Sequence, residues 1–495
     1  MHKTASNRRR IIFRADGNSR IGLGHVVRSL ALAAMLRDDF ECVFAIQEPE
    51  EALKEQILET CHGIISLPVC APSEDRFTYE LTAYIYEEEI IVLDGYNFKT
   101  AYQQSIKSRN AQLICIDDIH AYPFVADVVL NQAGGVAAAN YSAAPYTKLL
   151  LGPGYALLRQ PFLNASRQKR TLPEGEQQVL LNMGGADPEN YTLKLAREVA
   201  ASNNKAPIAI VVGSAYKHLP ELQNWLQTYP NYSLHQNLNA EQMCQLMLQC
   251  TMAITSASGV AYEYAAVGGA LFILQTADNQ SGIYHFLTSN AIAKAYSPEA
   301  ETIVTTQSFA EQVAKQRQFF DGQSDARLRD VFRQLDLSAG LVLRNATIDD
   351  LQLIFDWNND PEVRQRSFNP EPILLENHTR WFKSKLDDAG CKIYIAEVAG
   401  KPAAQIRFDL KNETATISYL ISRDFRGKGL GHTVLLKGIT KLQSEVAGIK
   451  LIEGLVQQDN PASVRAFEKA GFAYGEAAIN YPGAFRFVLQ PTSKV

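Results

Sequence analysis

The stretch IIFRADGNSRIGLGHVVRSLALAAML, residues 11–36, decides the fold of the first part of the chain. A short β-branched run at 11–13 leads into a polar loop that contains several glycines. An apolar pattern with helical spacing begins directly after this loop. The stretch therefore predicts a strand, a loop and a helix in immediate succession.

His25 stands at the predicted start of this helix. Unpaired backbone N–H groups and the positive end of the helix dipole disfavour an imidazolium there, so a neutral side chain can accept a proton. Gly22 and Gly24 let a ligand approach the backbone closely, and a helix N-terminus suits an anionic group such as a phosphate. The same short segment thus offers both a base and an anion site.

Two simpler interpretations of this segment stay open. GLGHVVR at 22–28 begins like a dinucleotide fingerprint, and Glu48 follows the next predicted strand, but Arg28 stands where a third glycine would allow close packing of helix and sheet. A histidine at a helix start is also often a capping or surface residue. On these residues alone, nicotinamide binding is disfavoured and catalysis is one of several roles for His25.

The run RADGN..IGLGHVVRSLALA resembles the N-terminal signature of the UDP-2,4-diacetamido-2,4,6-trideoxy-β-L-altropyranose hydrolases of pseudaminic acid biosynthesis. In that family the matching histidine is the proposed general base. The resemblance therefore implies that His25 is catalytic, and that Gly22, Gly24 and Arg28 bind the UDP-sugar.

Composition sets limits on the class of protein. The chain has 495 residues, 46% hydrophobic and 20% charged, which is enough globular material for about three domains. Its net charge of −5 and the absence of a long basic run argue against a nucleic-acid partner. Without a long apolar run we expect no membrane segment and a cytoplasmic location. Seven cysteines without a CxxC pair favour reduced thiols and no metal site.

Two successive parts of the chain alternate strand-like and helical patterns, which predicts an α/β fold of two Rossmann-like lobes resembling type B glycosyltransferases. We expect an N-terminal lobe with the catalytic loop at 1–165 and a UDP-binding lobe at 166–338. Polar residues end several predicted strands of the first lobe and would face the crevice of His25, Tyr96 among them as a substrate-binding candidate. Asp117 and Asp118, at another strand end, are more simply interpreted as caps of the next helix.

Small residues end the predicted strands of the second lobe. Gly184 and Gly185 in MGGAD, and SASG at 256–259, present backbone N–H groups around one crevice, a plausible cradle for a diphosphate. Residues 256–280 resemble the nucleotide-sugar site of glycosyltransferases with two Rossmann-like lobes. That resemblance implies that phosphate meets Ser258 and Gly259, that ribose hydroxyls donate to Glu263, and that phosphate or sugar meets Asn279 and Gln280. A simpler role for Glu263 is to complement the helix dipole.

The pattern changes after residue 340, where several strand-like runs precede RDFRGKGLGHTVLLKGI at 423–439. A strand ending at Ile421, a loop rich in glycine and a helix would aim successive N–H groups at a pyrophosphate. The run resembles the acetyl-CoA signature of the GCN5-related N-acetyltransferases (GNAT), and LIEGLVQQDNPASVRAFEKAGF at 451–472 resembles the second half of that family's pattern. We therefore expect an α+β GNAT domain at 341–495. The residues that this resemblance assigns to acetyl-CoA are Leu420, Ile421, Arg426, Gly427, Lys428, Gly429, Gly431 and Asn460.

In the family the matching asparagine contacts the pantetheine arm, and backbone near the end of the fourth strand polarises the thioester carbonyl. Phe467 departs from the pattern, because many members carry a tyrosine there as general acid. The thiolate of CoA then leaves unassisted, or Tyr474 or Tyr419 substitutes. For the general base, Glu397, Asp409 and a water stay open.

Together the two resemblances cover 10–335 and 341–490 and fit one pathway. They imply 4-N-acetylation of a UDP-4-amino sugar by acetyl-CoA, followed by inverting hydrolysis that releases UDP. Three alternatives stay open: a UDP-sugar glycosyltransferase, an acetyltransferase for another amine, and a non-catalytic acetyl-CoA-binding domain, which Phe467 mildly favours.

Overall fold

The structure is a computed structural model and describes residues 8–17, 23–86, 88–175, 177–201, 206–297, 304–476, 481 and 483–490. Its strands form three sheets. No helix in this described part combines the length and apolar character needed to cross a membrane.

The first lobe is a seven-stranded parallel sheet with the strand order β3-β2-β1-β4-β5-β6-β7. Its central strands have apolar interiors because helices cover both faces, and Ile11, Ile12 and Phe13 are fully buried. The chain order reverses between β1 and β4, and such a switch point opens a crevice at the carboxyl ends of the strands. The strands are β1 (Arg10–Ala15), β2 (Glu41–Gln47), β3 (Gly63–Leu67), β4 (Ile90–Asp94), β5 (Gln112–Ile116), β6 (Val128–Asn131) and β7 (Lys148–Leu151). The helices are α1 (Gly24–Leu36), α2 (Glu51–Thr60) and α3 (Thr100–Lys107), followed by α4 (Gln160–Ser166).

The second lobe is a six-stranded parallel sheet with the order β10-β9-β8-β11-β12-β13. Its switch point lies between β8 and β11. The two predicted Rossmann-like lobes are thus confirmed. The strands are β8 (Val179–Asn182), β9 (Ile208–Val212), β10 (Tyr232–Gln236), β11 (Met252–Ser256), β12 (Ala270–Leu274) and β13 (Lys294–Ala295). The helices are α5 (Tyr191–Ala201), α6 (Leu219–Leu226), α7 (Ala240–Gln249), α8 (Gly259–Val267), α9 (Ser281–Ser289), α10 (Thr306–Arg317) and α11 (Ser324–Ala339).

Two helices cross between the lobes. Helix α4 follows the first sheet but packs on α7 and α8 of the second lobe, whereas α11 returns to pack on α1. Arg327 of α11 donates to the carbonyl of Gly154, beyond the carboxyl end of β7, at 3.0 Å. Gln334, two turns later, lies 3.5 Å from the Nζ of Lys148, at the first residue of β7. Helix α11 therefore runs from the carboxyl edge of the first sheet to its amino edge.

The third sheet is mixed, with the order β14-β15-β16-β17-β18-β20-β19. Strands β17 and β18 are parallel and pair only up to Ile417 and Gly454, so they part at their carboxyl ends. The strands are β14 (Leu341–Asn345), β15 (Cys391–Val398), β16 (Lys401–Lys411), β17 (Thr414–Ile421), β18 (Leu451–Gln457), β19 (Ala473–Tyr474) and β20 (Ala484–Leu489). The helices are α12 (Leu351–Asn358), α13 (Pro361–Gln365), α14 (Leu375–Asp387), α15 (Gly431–Glu445) and α16 (Pro461–Lys469).

This third domain joins the lobes without a linker, because only Gly340 separates α11 from β14. Helix α15 packs against this connection between α11 and β14. The hydroxyl of Thr433 lies 3.3 Å from that of Ser338, and Lys437 donates to the carbonyl of Leu341 at 2.6 Å. Since α11 ends at the amino edge of the first sheet, the N-terminal half of α15 lies at that edge.

Candidate functional site

His25 lies in the first turn of α1, one residue after Gly24. Its Nδ1 is 2.7 Å from a carboxylate oxygen of Asp94, the last residue of β4. Because α1 follows β1 and β4 is the neighbouring strand across the switch point, both side chains meet at the crevice. Gly22, predicted to bind the substrate, lies outside the described residues.

Arg28 holds Asp94 from the next turn of α1. Its Nη2 and Nε donate to the carboxylate at 2.6 and 2.8 Å, the hydroxyl of Ser29 donates at 3.0 Å, and the Nη1 of Arg28 reaches Asp118 at 2.9 Å. Asp94 is completely buried. Burial alone would raise the pKa of Asp94, but Arg28 and His25 hold it below its ordinary value. Asp94 therefore stays ionised and accepts hydrogen bonds only.

An ionised Asp94 determines which tautomer a neutral His25 adopts. A carboxylate can only accept, so the proton of the neutral imidazole is assigned to Nδ1 and the lone pair to Nε2. Among the described residues, Nε2 has no hydrogen-bond partner. The arrangement is that of a general base whose orientation is set by a buried carboxylate. Sequence reasoning expected polar strand ends of the first lobe to face this crevice but missed the role of Asp94.

Tyr96 forms one wall beside the imidazole. Its ring meets His25 edge-on at 4.8 Å between centroids, and its hydroxyl is 3.5 Å from Asp118. Burial and the nearby Asp118 raise the pKa of Tyr96, so the phenol stays protonated. The structure thus brings together Gly24, His25, Arg28 and Tyr96 as predicted neighbours.

The prediction that Asp117 and Asp118 cap a helix is wrong. No helix follows β5 before β6 in this fully described segment. Asp117 instead accepts from the backbone N–H of His120 at 2.8 Å and from the hydroxyl of Tyr141 at 3.0 Å, and Asp118 pairs with Arg28. The two carboxylates therefore shape the crevice loop, because an irregular segment at 117–127 leads from β5 to the parallel strand β6.

Replacing Asp94 with Asn should lower the free energy of unfolding at neutral pH by about 3 kcal/mol. This is the low end of the range for breaking a buried ion pair, and we choose it because Arg28 still has Asp118 as an ion-pair partner. The lowered pKa of Asp94 means that its charge stabilises the fold above the ordinary value of 3.8 and ceases to do so as the pH falls toward the lowered pKa. The difference between the wild-type chain and the variant should therefore shrink below about pH 4. Urea unfolding from pH 3 to 7 measures it; a difference that does not change with pH would contradict the assigned ionisation.

The second lobe presents small residues at its own switch point. Gly184 follows β8 with φ +94°, which favours glycine, and its N–H is tied to the Asn182 side chain at 2.9 Å. The hydroxyls of Ser256 and Ser258 lie 2.9 Å apart after β11, and α8 begins at Gly259. Gly184, Gly185, Ser258 and Gly259 therefore lie at the crevice edge where the sequence predicted phosphate.

Glu263 is paired. Arg159, just before α4, donates to both of its carboxylate oxygens at 2.8 and 2.9 Å. A ribose would therefore contact an ion pair rather than an isolated carboxylate. Sequence reasoning missed this pair, because a contact between residues 104 positions apart has no local sequence signal. Gln280 closes its own loop by accepting from the N–H of Thr276 at 2.8 Å. Asn279 lies in the same short turn, and its side chain is outside the described part.

A second candidate site lies at the parted ends of β17 and β18. Leu420 and Ile421 pair with β16 but have no partner on β18. Gly427 and Gly429 adopt φ of +74° and +78°, and α15 begins at Gly431. Arg426 ties the loop by donating to the carbonyl of Ile421 at 3.0 Å, with Asp360 and Glu362 as ion-pair partners, and Lys428 lies 5.0 Å over the ring of Phe425. The loop thus presents its backbone at the N-terminus of a 15-residue helix.

Asn460 and Phe467 have clear local roles. The side chain of Asn460 caps α16 by accepting from the N–H of Ser463 at 3.1 Å, and the hydroxyl of Tyr419 donates to that of Ser463 at 3.1 Å. Phe467 is 2% exposed, and a Cβ on Gly454 would lie only 2.4 Å from its ring. Phe467 is therefore a core residue that faces β18.

The comparison with known families identifies this domain. Residues 340–473 match the model of the acetyltransferase (GNAT) domain. The protein named putative phosphinothricin acetyltransferase YwnH, of Bacillus subtilis, is 30% identical over 141 residues, which cover 27% of this chain and 84% of that protein. The C-terminal part of this chain belongs to the GNAT acetyltransferase family.

Upstream of the GNAT domain, the chain is similar to a UDP-2,4-diacetamido-2,4,6-trideoxy-β-L-altropyranose hydrolase of Campylobacter jejuni, 28% identical over 258 residues, 51% of this chain and 87% of that protein. An uncharacterized protein of Methanocaldococcus jannaschii is 23% identical over 473 residues, 92% of this chain and 95% of its own length. Among solved structures, a Vibrio cholerae spermidine N-acetyltransferase in complex with CoA and spermine is 20% identical with a TM-score of 0.28, covering 31% of this chain and 96% of that chain.

Within the GNAT domain, Gln405 was missed by sequence reasoning. It is 5% exposed, pairs across the sheet with Leu420, and its Oε1 has no partner among the described atoms. The alternation of AAQIRFDL puts Gln405 on the same face as Arg407 and Asp409, so the sequence carries no signal of its burial. The two carboxylates proposed as bases are engaged elsewhere: Glu397 pairs with Arg344, and Asp409 with Lys385 and Arg407.

Proposed function

We propose that this protein is a bifunctional nucleotide-sugar enzyme of pseudaminic acid biosynthesis. Its GNAT domain, 341–495, acetylates the 4-amine of UDP-4-amino-4,6-dideoxy-N-acetyl-β-L-altrosamine with acetyl-CoA. The lobes at 1–165 and 166–338 then hydrolyse the resulting UDP-2,4-diacetamido-2,4,6-trideoxy-β-L-altropyranose. The observation that carries the proposal is the His25–Asp94 pair at the switch point of the first lobe, in a region similar to such a hydrolase.

Hydrolysis begins when Nε2 of His25 takes a proton from a water. The water attacks the anomeric carbon from the face opposite UDP, the C1–O bond breaks, and the configuration inverts. Ionised Asp94 stabilises the imidazolium formed in this step, as its short contact with Nδ1 supports. The departing UDP gains negative charge, which backbone N–H groups near Gly184 and at the start of α8 are placed to stabilise.

Acetyl transfer takes place where β17 and β18 part. The pyrophosphate of acetyl-CoA lies against the backbone from Gly427 to Gly431. The sugar ammonium first loses a proton to water, and the neutral amine attacks the thioester while backbone near Leu420 polarises its carbonyl. The C–S bond then breaks, the new amide loses its extra proton to water, and the CoA thiolate leaves with a proton from the general acid. Of the two tyrosines considered as general acid, Tyr419 is the better placed. Its hydroxyl is at the cleft beside Ser463, and burial raises its pKa so that it keeps its proton, whereas the exposed Tyr474 donates to Glu468.

Phe467 gives no support to a non-catalytic acetyl-CoA-binding domain. Its ring fills the space above Gly454 and stacks on Phe487. Core packing therefore accounts for this side chain.

The two reactions should occur in a fixed order: UDP release from the 4-amino sugar requires acetyl-CoA. The free amine is an ammonium near neutral pH, and placing that charge in a pocket shaped for a neutral amide costs desolvation without a matched partner. The test incubates the intact chain with the 4-amino UDP-sugar, with and without acetyl-CoA, and follows UDP and CoA separately.

Acetylated UDP-sugar supplied directly is the positive control and should release UDP without acetyl-CoA. Release from the 4-amino sugar alone at the same rate would overturn the order and the assigned specificity. If CoA forms with other amines but not with this sugar, the GNAT domain serves a different acceptor.

A further inference from the structure

Strand β16 of the GNAT domain presents its side chains to helices on two different faces. Ile406 faces α15, because a Cβ on Gly438 of that helix would lie 2.6 Å from it. Arg407 faces α14, since its guanidinium lies 5.1 Å over the ring of Trp381. Successive side chains of a strand point to opposite faces, so Gln405 shares the α14 face with Arg407.

Helix α14 and β16 run alongside each other in the same direction. One helical turn after Trp381, Lys385 donates to Asp409 at 2.8 Å. A turn of helix advances about 5.4 Å and two strand residues advance about 6.8 Å, so the helix and the strand stay in step over this length. One turn before Trp381, the helix therefore brings His378 to the level of Gln405.

Two buried hydrogen-bond acceptors are open at this level. His378 is 2% exposed, its Nε2 has no partner among the described residues, and burial lowers its pKa, so its imidazole is neutral at neutral pH. A hydrogen bond with the backbone of Leu351 assigns the hydrogen to Nδ1 and leaves the lone pair on Nε2. The amide oxygen of Gln405 is likewise buried and unpartnered. An unsatisfied buried acceptor costs about 1 to 3 kcal/mol, which indicates that a substrate brings the missing donor.

Gln405 lies beside the gap between β17 and β18. It pairs directly with Leu420, and the Cβ atoms of such opposite residues lie about 4.5 to 5.5 Å apart on the same face. Under the proposed function, backbone near Leu420 polarises the thioester carbonyl. The amide of Gln405 is therefore within reach of a nitrogen that attacks this carbonyl.

The acceptor substrate approaches from the face that carries Gln405. CoA comes from the other face, because its pyrophosphate lies at the N-terminus of α15, whereas Ser418 leaves the Gln405 face of β17 exposed. The charged groups on this face neutralise one another in ion pairs: Arg407 and Lys385 with Asp409, Arg344 with Asp350 and Glu397, and Arg486 with Glu453. The surroundings of Gln405 are thus polar but carry no unpaired charge among the described residues.

We propose that the amide oxygen of Gln405 accepts a hydrogen bond from the attacking amine and thereby aligns the nitrogen lone pair with the thioester carbonyl. The proposal rests on acetyl transfer by the GNAT domain, which is part of the proposed function. Gln405 takes no proton. Its neutral oxygen accepts from an N–H of the free amine without the negative charge that would hold the nitrogen as an ammonium, which has no lone pair for attack.

The first test replaces Gln405 with Met, which has a similar length but accepts hydrogen bonds only weakly. With the 4-amino UDP-sugar as acceptor, kcat/KM for the sugar should fall about tenfold, the expected loss of one hydrogen bond. KM for acetyl-CoA and the calorimetric affinity for CoA should not change. Gln443→Met is the matched control, because Gln443 is half-buried in the last turn of α15, on the other face of the sheet. It should change none of these values.

The second test replaces Gln405 with Glu, which keeps the shape and adds a charge. A carboxylate stabilises the ammonium form and raises the pKa of the bound amine, so the acid limb of the pH profile of kcat should move up by about 1 pH unit. A purely structural role of Gln405 predicts no such movement.

An unmoved acid limb in Gln405→Glu, or wild-type kcat/KM in Gln405→Met, would overturn this inference and leave the proposed function standing. Weakened CoA affinity in Gln405→Met would show a structural role and overturn it as well. CoA formed only with another amine would correct the proposed acceptor, and the same measurements on that amine would then decide the inference. A wild-type chain that acetylated no amine would overturn the proposed acetyl transfer, and the inference with it.

Discussion

Replacing His25 with Asn should lower kcat for UDP release from the acetylated sugar by about 10² to 10⁴, the usual contribution of a general base. Asn can donate to Asp94 from the same position, but its side chain cannot take a proton from water. Binding of the UDP-sugar should survive, because the glycines and serines of the second lobe are untouched. Steady-state UDP release and the affinity for the intact sugar measure the two effects separately.

The control is His62→Asn. His62 lies at the amino edge of the same sheet, and within the described part of the chain its side chain accepts one hydrogen bond, from the N–H of Cys42, which the Asn side chain can also do. This variant should release UDP normally, and His25→Asn should still form CoA from acetyl-CoA and the 4-amino sugar. UDP release at the wild-type rate in the His25 variant would show that His25 only begins a helix.

Replacing Gly429 with Val should abolish acetyl-CoA binding and acetyl transfer while UDP release from pre-acetylated sugar continues. Gly429 has φ +78°, where a β-branched residue is strained by about 1 to 3 kcal/mol. Any relief of that strain moves the loop, and the added side chain stands where the pyrophosphate approaches. Calorimetric titration with CoA and UDP release from the acetylated sugar check the two halves of this expectation.

The variant Gly400→Val is the control that separates the effect of backbone strain from the effect of blocking the proposed CoA site. Gly400 has φ +73° in the turn between β15 and β16, and a Cβ there meets nothing within 4 Å, as at Gly429. The two variants should have similar backbone strain. If only the Gly429 variant loses affinity for CoA, the CoA site lies in the loop that contains Gly429. Gly431→Val adds a steric test, because its Cβ would press on Ala466. Unchanged CoA affinity in the Gly429 and Gly431 variants would refute the assignment.

Local patterns predicted the backbone of both candidate sites. The glycines and the helical period after 24 placed His25 in the first turn of α1, and the strand predicted to end at Ile421 does end there. Such features depend on residues that are neighbours in sequence, so their spacing carries the information.

Contacts between distant residues were not predictable in the same way. His25 meets Asp94 across 69 positions, and Glu263 meets Arg159 across 104, so no spacing links them. The error at Asp117 has a related cause: a carboxylate after a strand suits a helix cap, but an irregular loop follows β5. The hydroxyl of Tyr141, which lies beyond β6, donates to the Asp117 carboxylate instead. Phe467 was interpreted as a missing general acid because the family pattern has a tyrosine there. The structure shows that its ring packs against Gly454 on the adjacent strand, which the pattern does not reveal.

Helix α11, which crosses the first sheet from its carboxyl edge to its amino edge, fixes the spatial relation of the two candidate sites. The crevice of His25 lies at one end of strands such as the six-residue β1, and the acetyl-CoA loop lies at the other end, so about 20 Å of sheet stands between them. Under the proposed function, an acetylated sugar therefore has to leave one site before it reaches the other. If the proposed function holds, the fusion fixes the ratio of the two enzymes, because each polypeptide carries one acetyltransferase domain for every hydrolase region.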